Sequence, residues 1–591
     1  MRGLRKMLYK ASRRWVAVLW VLSLIVPVWG APAPVLAAEP PPRRVHAPYF
    51  AGNVIYSQTT IFWLGRITPT ENYADVRVGY NDEHLYVNVA VIDRRLWYDT
   101  SPTPETLTDW DAVSLYLGIN DAPALDAGTC QFVAQLVSWE PRAGYQQAYC
   151  GSSSATWEPA TVDFTATTGW RGDRPNNNVD DRGWVARFVI PFTALGLTRA
   201  PARGTTWRLG LVVHDRDDAA GTPIPAQVWP ETLDPQQPQS WGELIFGRPR
   251  PYTSAPATPE GAVTIREGLN GAIVPDAPVG GHTTCGRGVE YWTQWGERNL
   301  GQVAYFNIQN QSDISDWPCF SKYYVTFPLD QVPEGRVIQS AEVILHQFGG
   351  AGAGWSPPAQ PSLIQAFTVA ESWDEATLTW NNAPGPAEFA GETWVQPTSV
   401  YLGQPGVPWT WDVSAAVASA YAAGEPLRLA FYEADAAYHS GKYFRTSEEE
   451  EYGAVGRPTL NITWGDPLAT VASASQPAVL LPGDRVTTTL LVQGSGYPLT
   501  LGGALGEGFV DAVALTSGLD LTAGSLAWSG APALGETVAL QFAATVTGTT
   551  GSLVTYAVTL AQNGEVVDTL NGRFILDPRL FYLPLIARDA P

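Results

Sequence analysis

Hydrophobic and polar positions alternate along much of this chain, and the alternation predicts β-strands. Aliphatic or aromatic residues recur at every second position in four runs, at Leu85, Val87, Val89 and Val91, at Val113, Leu115, Leu117 and Ile119, at Trp184, Ala186, Phe188 and Ile190, and at Leu209, Leu211 and Val213. Since neighbouring side chains of a strand point to opposite faces, a period of two predicts strands with one buried face.

The segments between these runs are rich in Gly, Pro, Asn and Asp, as in RGDRPNNNVDDRG. Residues of these types favour turns rather than crossover helices. We therefore predict an all-β protein built of tandem antiparallel β-sandwich domains of the jelly-roll or immunoglobulin-like kind, and the first of these domains ends near Gly247.

Two further regions repeat the alternation. The second contains KYYVTFPL, AEVILHQF and PLRLAFYE, together with one predicted helix in DVSAAVASAYAAG, where Val413, Val417 and Tyr421 share a face and Gly424 ends it. The third, with RVTTTLLV, is typical of an immunoglobulin-like spacer. The predicted domains are residues 39–248, 249–465 and 466–578, with a linker in RPRPYTSAPATPEG and a tail at 579–591.

The first 38 residues have the pattern of a secretory signal peptide. Six basic residues precede an apolar run from Trp15 to about Trp29, and small residues follow at Ala37 and Ala38. The run is shorter than the roughly 20 residues that span a bilayer, although an uncleaved anchor is an alternative. We expect a secreted protein, extracellular or at the cell surface.

Charge restricts the partners. Of the 36 Lys and Arg residues six lie in the signal-like segment, so 30 remain against 57 acidic residues, a net charge near −27. Nucleic acids and anionic lipids are recognised by basic surfaces, so we expect neither as a partner.

The four cysteines, Cys130, Cys150, Cys285 and Cys319, predict disulfides. An even number in an exported protein favours bridges, and of the three connectivities the local pairs Cys130–Cys150 and Cys285–Cys319 keep each bridge within one domain. A zinc site is the weaker alternative, because there is no CxxC or close Cys/His spacing.

The stretch SWDEATLTWNNAP allows several interpretations. Its acids could be catalytic, its tryptophans could stack on sugars, or it could belong to the fold. In a strand Asp374 and Glu375 would point to opposite faces, so they do not form a catalytic pair with each other. We expect Trp373 and Trp380 to fill the end of a core, and Asp374 and Glu375 to be solvated or to cap a turn.

With WTWDVSAAV and YFRTSEEEEYGAVGRPTLNITW, this stretch resembles the DNRLRE domain, a β-sandwich module of secreted proteins. The matching residues are Trp373, Glu375, Thr379, Trp380, Asn382, Pro384, Asp412, Val413, Phe444, Ser447, Glu448, Arg457, Pro458 and Leu460. The resemblance implies binding or adhesion more than catalysis, since some relatives are classed as carbohydrate-binding modules and others are only structural.

The first domain resembles carbohydrate-binding module family 9 and the wider DOMON-like sandwiches. The resemblance rests on NYADVRVGYNDEHLYVNVAVIDRRLWYDT, DWDAVSLYLGIND, GWVARFVIPFTALGL, WRLGLVVHDRDD and QSWGELIFG. It implies that aromatic rings hold a sugar unit and that calcium stiffens the loops. Stacking suits the apolar face of a pyranose, and the candidate sugar contacts are Trp97, Tyr98, Trp110 and Trp229.

A calcium site is suggested by HDRDDAAG and by the acidic loop between Asp93 and Asp111. Calcium takes six to eight oxygen ligands, often clustered carboxylates, and the candidate ligands are Asp93, Asp215 and Asp217. Asp is also a common turn residue, which is the alternative explanation.

Motifs for catalysis are absent from the sequence, which has no GxSxG, no HExxH and no phosphate-binding glycine loop. Three hypotheses follow: a non-catalytic multimodular protein that binds polysaccharide or a cell-envelope glycan, a structural or adhesive surface protein that binds no sugar, and a polysaccharide-degrading enzyme. We favour the first.

Overall fold

The computed structural model describes residues 42–577, except 286–287, 311–316, 353, 355, 357, 399–401, 436 and 478. The predicted signal segment and C-terminal tail lie outside these residues. Within the described part, no helix has the length and apolar character needed to cross a membrane. The predicted all-β class is confirmed.

Two antiparallel sheets form the first sandwich. Its strands are β1 (Arg44–Ala47), β2 (Thr60–Gly65), β3 (Tyr73–Tyr80), β4 (His84–Ile92), β5 (Ala112–Gly118), β6 (Thr129–Gln135), β7 (Gln146–Gly151), β8 (Trp157–Ala160), β9 (Thr165–Arg171), β10 (Gly183–Pro191), β11 (Thr206–His214), β12 (Gln227–Trp229) and β13 (Gly242–Phe246). One sheet has the order β1-β13-β11-β5-β6-β7-β8, with β12 beside β11, and the other has the order β2-β3-β4-β10-β9. The parallel pairing of β1 with β13 is an exception to the antiparallel pattern.

The second sandwich contains the predicted helix. Its elements are β14 (Ala257–Arg266), β15 (Asp276–Gly280), β16 (Tyr305–Asn310), β17 (Phe320–Phe327), β18 (Val337–Gly350), β19 (Ser362–Thr368), β20 (Glu388–Val395), β21 (Val407–Asp412), α1 (Ser414–Ala423), β22 (Leu427–Glu433), β23 (Lys442–Arg445) and β24 (Thr459–Pro467). Helix α1 ends where Gly424 takes a left-handed conformation, as predicted. Strand β14, paired with β24, occupies part of the segment that the sequence predicts to be a linker.

Nine strands form the third sandwich in the described part of the chain. They are β25 (Thr470–Gln476), β26 (Arg485–Gln493), β27 (Leu499–Leu505), β28 (Phe509–Ala514), β29 (Asp520–Thr522), β30 (Ser525–Gly530), β31 (Thr537–Val546), β32 (Leu553–Gln562) and β33 (Glu565–Ile575). They pair as β25-β26-β31-β28 and β29-β30-β27-β32-β33. The immunoglobulin likeness of this region stays a prediction, and so do the domain boundaries.

Both predicted disulfides are confirmed. Cys130 and Cys150 are opposite each other on β6 and β7, with 4.1 Å between their Cα atoms. Cys285 and Cys319 join the loop after β15 to the start of β17, with 4.5 Å between their Cα atoms.

Strand β3 is buried on both of its faces, whereas the alternation predicts one buried face per strand. All eight residues from Tyr73 to Tyr80 are buried. Ala74, Val76 and Val78 pack in the core of the first sandwich. The opposite face is covered by the second sandwich, so a second apolar cluster joins Ile61, Trp63 and Tyr73 to residues of β15, β17, β19 and β22.

A lysine from the second sandwich lies at the centre of this interface. The Nζ atom of Lys322 is 3.6 Å from the ring centroid of Trp380, 4.4 Å from that of Tyr73, 4.6 Å from that of Trp63 and 4.9 Å from that of Tyr432. The rings come from both sandwiches, and cation–π attraction is strongest where water is excluded. We call this arrangement the lysine cage. Burial lowers the pKa of Lys322, while Asp75 favours its charged form.

Several polar groups of the interface are hydrogen-bonded, some of them across it. Asp75 accepts hydrogen bonds from Tyr73 at 2.6 Å, from Asn310 at 2.7 Å and from Tyr432 at 3.3 Å. The guanidinium of Arg77 donates to the carbonyl oxygen of Ala434 at 2.9 Å. Since an unpaired buried polar group is costly, these bonds make the buried face compatible with its polar residues.

Two side-chain amides bind the backbone along the edge of β2 that has no neighbouring strand in its sheet. Gln365 accepts from the amide of Ile61 and donates to the carbonyl of Thr59. Asn381 accepts from the amide of Ile67 at 2.8 Å and donates to its carbonyl at 3.0 Å. Each amide replaces a neighbouring strand, so the edge of the first sandwich is completed by the second.

We expect Trp63→Ala to uncouple the two sandwiches. The substitution removes a ring that packs against Phe367 and Tyr432, each at 5.4 Å between centroids, and a buried Trp→Ala change costs about 3 to 5 kcal/mol. In scanning calorimetry the first two sandwiches of the unmodified protein should unfold in one transition. In the Trp63→Ala variant they should unfold in two. Trp184→Ala, inside the first core, should lower that transition without splitting it. Two separate transitions in the unmodified protein would contradict the coupling.

Candidate functional site

Three loops of the first sandwich bring acidic residues together. Asp93 follows β4, Asp111 precedes β5, and Asp215 and Asp217 follow β11. Asp93, Asp215 and Asp217 each offer a carboxylate oxygen, and these oxygens lie within 4.8 Å of one another. The three residues are those that the sequence predicts as calcium ligands, and we call them the first acidic cluster.

Asp111 fixes the loops around this cluster. Its Oδ2 accepts from the amide of Trp97 at 2.7 Å, and its Oδ1 accepts from the amide of Arg216 at 3.0 Å. The loop after β4 is thereby tied to the loop after β11. Its carboxyl is completely buried.

Several carboxylate oxygens of the cluster have no hydrogen-bond donor. Asp93 receives one bond, from the amide of Arg95 to Oδ1 at 3.0 Å. Its Oδ2 and both carboxylate oxygens of Asp215 are buried without a hydrogen-bond partner among the described residues. A buried carboxylate without donors is strongly disfavoured unless a cation or a proton compensates it.

The pKa values of these carboxyls also show that their charged forms are disfavoured. Burial first, and then the neighbouring carboxylates, raise the pKa values of Asp93 and Asp111 well above the ordinary range. Burial, followed by the charge of Asp217, raises the pKa of Asp215 to about 8. Burial raises the pKa of Asp217 to about 6, against the charges of Arg95 and Arg94. Carboxylate oxygens with no protein donor fit a hard cation such as Ca²⁺.

Three of the four predicted sugar contacts are buried. Trp97 is 8% exposed, Tyr98 4% and Trp229 3%. The ring of Trp229 packs at 4.4 Å from Phe62 in the core, and the hydroxyl of Tyr98 donates to Glu140. Tyr98 and Trp229 belong to the apolar core of the first sandwich, so their roles as sugar contacts stay predictions.

Two other rings near these loops reach solvent. Trp110 is half-buried and lies against Gly221 of the loop that carries Asp217. Trp139, which the sequence analysis missed, is 79% exposed, and its neighbour Glu140 is bonded to Tyr98. The signal that could have found Trp139 is its place in SWEPRAG, a turn-forming segment between strands.

The second sandwich carries rings on the outer face of three adjacent strands. Tyr305 on β16, Phe348 on β18 and Tyr443 on β23 have ring centroids 5.7 Å and 6.1 Å apart in that order. Tyr305 is 43% exposed, and the other two are half-buried. We call these three residues the aromatic patch. Sequence reasoning missed it, although the pairs Tyr305-Phe306 and Tyr443-Phe444 place an aromatic residue on both faces of a strand.

Polar groups border the aromatic patch. The guanidinium of Arg445 lies 4.7 Å from the ring centroid of Phe348. The ring of His282 is 5.3 Å from that of Tyr305, and its Nε2 forms a hydrogen bond with the carbonyl oxygen of Tyr305 at 2.7 Å. Below the patch, Phe306 and Phe444 are completely buried and stack at 5.6 Å, which holds the strands in place.

The residues of the stretch SWDEATLTWNNAP have different roles in the structure. Trp380 belongs to the lysine cage, and Asp374 is exposed and caps a turn by accepting from the amide of Ala376. Both agree with expectation. Glu375 does not, because it is half-buried and its Oε1 has no donor among the described residues.

Part of the second sandwich matches a known protein family. Residues 293–463 match the family model of carbohydrate-binding module family 96. The match lies inside the predicted second domain, residues 249–465, and contains all the residues that resemble the DNRLRE domain. Comparison with curated proteins gives no match.

Solved structures give weak likenesses. A family 9 carbohydrate-binding module from Caldicellulosiruptor kristjanssonii in complex with cellotriose has 18% identity and a TM-score of 0.25, with 37% of this chain and 100% of that chain covered. Its complex with glucose has 17% identity and a TM-score of 0.24, with 36% and 99% covered. A glycosyl hydrolase family 2 member from Bacteroides cellulosilyticus has 10% identity and a TM-score of 0.15, with 53% and 36% covered. Since these TM-scores are below 0.5, the likenesses carry no argument about function.

We expect the stability of the cation-free protein to fall as pH rises from about 4 to about 8. In this range the first acidic cluster holds protons in the folded state that an unfolded Asp, with a pKa of about 3.9, has released. The free-energy cost of ionising these buried carboxyls is absent below the pKa of the unfolded state. It reaches its full size above the pKa values of the folded state, of which that of Asp215 is about 8. Calcium should offset it, so at pH 8 removing calcium should lower Tm by about 2 to 5 °C.

The measurement is thermal unfolding at pH 5 and pH 8, with and without calcium. Asp215→Asn should reduce the calcium-dependent part of the shift at pH 8, and Asp109→Asn, an exposed residue of a neighbouring loop, should leave it unchanged. An equal calcium effect in the unmodified protein and in Asp215→Asn would show that the first acidic cluster does not hold calcium.

Proposed function

We propose that this protein is an exported, non-catalytic polysaccharide-binding protein whose second sandwich contacts sugar through the aromatic patch. The observation that carries the proposal is the match of residues 293–463 to carbohydrate-binding module family 96, because Tyr305, Phe348 and Tyr443 all lie inside that match. The sequence is consistent with the proposal, since it contains none of the catalytic motifs named above.

The aromatic patch suits the apolar face of a pyranose. Its rings stand on neighbouring strands of a rigid sheet, so a sugar that stacks on them loses little entropy in ordering the protein. An aromatic face carries negative charge density that complements the C–H groups of a sugar ring. Arg445, which is paired with the carboxylate of Glu449, and His282 border the patch, so polar groups lie beside the rings.

The charge of the chain favours a neutral ligand. With a net charge near −27 after the signal-like segment, the protein repels acidic polymers at low salt. Binding that rests on ring contact and neutral hydroxyls does not depend on ionic strength. We therefore infer a neutral polysaccharide or envelope glycan as the ligand.

The first sandwich contributes a second surface in this proposal. Trp110 lies against the loop that carries Asp217, and calcium held by Asp93, Asp215 and Asp217 would order this loop. Trp139 is a further ring that reaches solvent, next to Glu140, which is bonded to Tyr98 of the loop after β4. In this role the cation acts on loop structure and not on the sugar. Trp97, Tyr98 and Trp229 then support these loops and the core from within.

We expect Tyr305→Ala and Tyr443→Ala each to weaken polysaccharide binding by about 1 to 3 kcal/mol, because each removes buried apolar contact with the sugar. The measurement is affinity electrophoresis and calorimetry of the full chain with soluble β-glucans, xylans and mannans, at low and high salt. Tyr452→Ala is the matched control, since Tyr452 is 77% exposed in the same sandwich but lies outside the patch.

Three results would contradict the proposal in different ways. No binding to any glycan would favour a structural or adhesive protein. Release of reducing sugar would favour an enzyme. Binding that survives both tyrosine substitutions but is lost in Trp110→Ala or Trp139→Ala would move the site to the first sandwich.

A further inference from the structure

A second group of acidic residues lies in the second sandwich, away from the aromatic patch. Asp276 begins β15, Glu375 lies in the turn of SWDEATLTWNNAP, and Glu448 follows β23. Each offers one carboxylate oxygen, and these oxygens lie within 4.8 Å of one another. We call these residues the second acidic cluster. It shares no residue with the first.

The cluster borders a cavity of about 250 Å³. Glu375 and Glu448 line it, together with Glu267, Glu451 and Arg457. The space holds several water molecules, so a cation could enter and keep part of its hydration shell.

Every member of the cluster has a buried oxygen without a donor. Asp276 is completely buried; its Oδ2 accepts from the hydroxyl of Tyr323 at 2.6 Å and from the amide of Ser447 at 2.7 Å. Its Oδ1, together with Oε1 of Glu375 and Oε2 of Glu448, has no hydrogen-bond partner among the described residues. Buried carboxylate oxygens without donors are disfavoured unless protons or a bound cation compensate them.

The basic residue that lines the cavity is engaged elsewhere. The guanidinium of Arg457 donates to the carbonyl oxygen of Glu449 at 2.9 and 2.6 Å and to that of Glu267 at 3.1 Å. It also contacts the carboxylate of Glu451 at 3.4 Å. None of these bonds reaches the second acidic cluster.

Electrostatics agree with the geometry. Burial, followed by interaction with Glu448, raises the pKa of Glu375 to about 7. Burial, followed by the charge of Glu448, raises the pKa of Asp276 well above its ordinary range. The charged forms of these acids are therefore destabilised as the protein stands, and a bound cation would reverse this.

We infer that Asp276, Glu375 and Glu448 form a calcium-binding site. Ca²⁺ accepts carboxylate oxygens in flexible geometry and completes its six to eight ligands with water and carbonyl groups. Mg²⁺ demands a more regular octahedron and dehydrates reluctantly, so three protein carboxylates at one point favour Ca²⁺. This site is independent of the proposed sugar contacts.

The site has a structural consequence for the interface between the sandwiches. Glu375 stands five residues before Trp380 of the lysine cage, and the intervening turn is held by the bond from the amide of Leu378 to the carbonyl of Asp374 at 2.8 Å. Calcium would anchor this turn to β15 and to the loop after β23. It would thereby fix the segment that delivers Trp380 and Asn381 to the first sandwich.

The test is calcium binding by the full chain carrying Asp215→Asn, which silences the first acidic cluster. Calorimetry and equilibrium dialysis should cover the range of about 10⁻⁴ to 10⁻³ M that extracellular calcium modules occupy. We expect one equivalent of calcium in this background, and the isosteric changes Glu375→Gln and Glu448→Gln should each weaken its binding by about 100-fold or more. Glu451→Gln is the matched control, because its side chain is 89% exposed at the same cavity.

A second readout uses Tb³⁺ as the probe. Tyr323 is bonded to Asp276, so its ring should sensitise luminescence of a lanthanide in the site, and Glu375→Gln should abolish that emission while circular dichroism shows a folded chain. If Glu375→Gln unfolds, Glu448→Gln provides the same comparison. An equivalent of calcium that survives both substitutions, or a folded Asp215→Asn chain that binds none, would overturn the site. Sugar binding is measured separately, so its failure would not be confused with this result.

Discussion

The ammonium group of Lys322 is enclosed by four aromatic rings that two sandwiches supply together, and the arrangement of the first two domains depends on this contact. A buried cation needs compensation, and here Trp63 and Tyr73 come from one sandwich while Trp380 and Tyr432 come from the other. Separating the sandwiches would uncover the cage and the polar pairs around Asp75. The sheet of β2, β3 and β4 is therefore an internal layer of a larger body, and its loops are held at fixed positions relative to the second sandwich.

The sequence predicts the elements of this fold better than their assembly. Period-two alternation is sufficient for the all-β class, and local cysteine spacing is sufficient for both bridges. Burial of the second face of β3 leaves no such signal, because Asp75 and Arg77 read as solvent-facing residues. They form hydrogen bonds with Asn310, Tyr432 and Ala434, more than 230 residues away along the chain, and such long-range pairs leave no local pattern in the sequence.

The candidate sites show the same limit. Asp215 and Asp217 follow a predicted strand in HDRDDAAG, and with Asp93 at the end of another strand they could be assigned to one end of a sandwich. Glu375 could not, because its partners Asp276 and Glu448 are 99 and 73 residues distant along the chain. The sequence likewise does not separate buried from exposed rings, since Trp229 packs in the core while Trp139 is exposed in a turn between strands.

The lysine cage also determines how the protein reacts with reagents that modify primary amines. Residues 42–577 contain two lysines, Lys322 and Lys442, which are 2% and 1% exposed. Within residues 42–577, the folded side chains thus present almost no primary amine to acylating dyes, aldehydes or lysine-specific proteases. Modification of Lys322 requires the two sandwiches to separate. The rate at which Lys322 is labelled therefore reports the rate at which their interface opens.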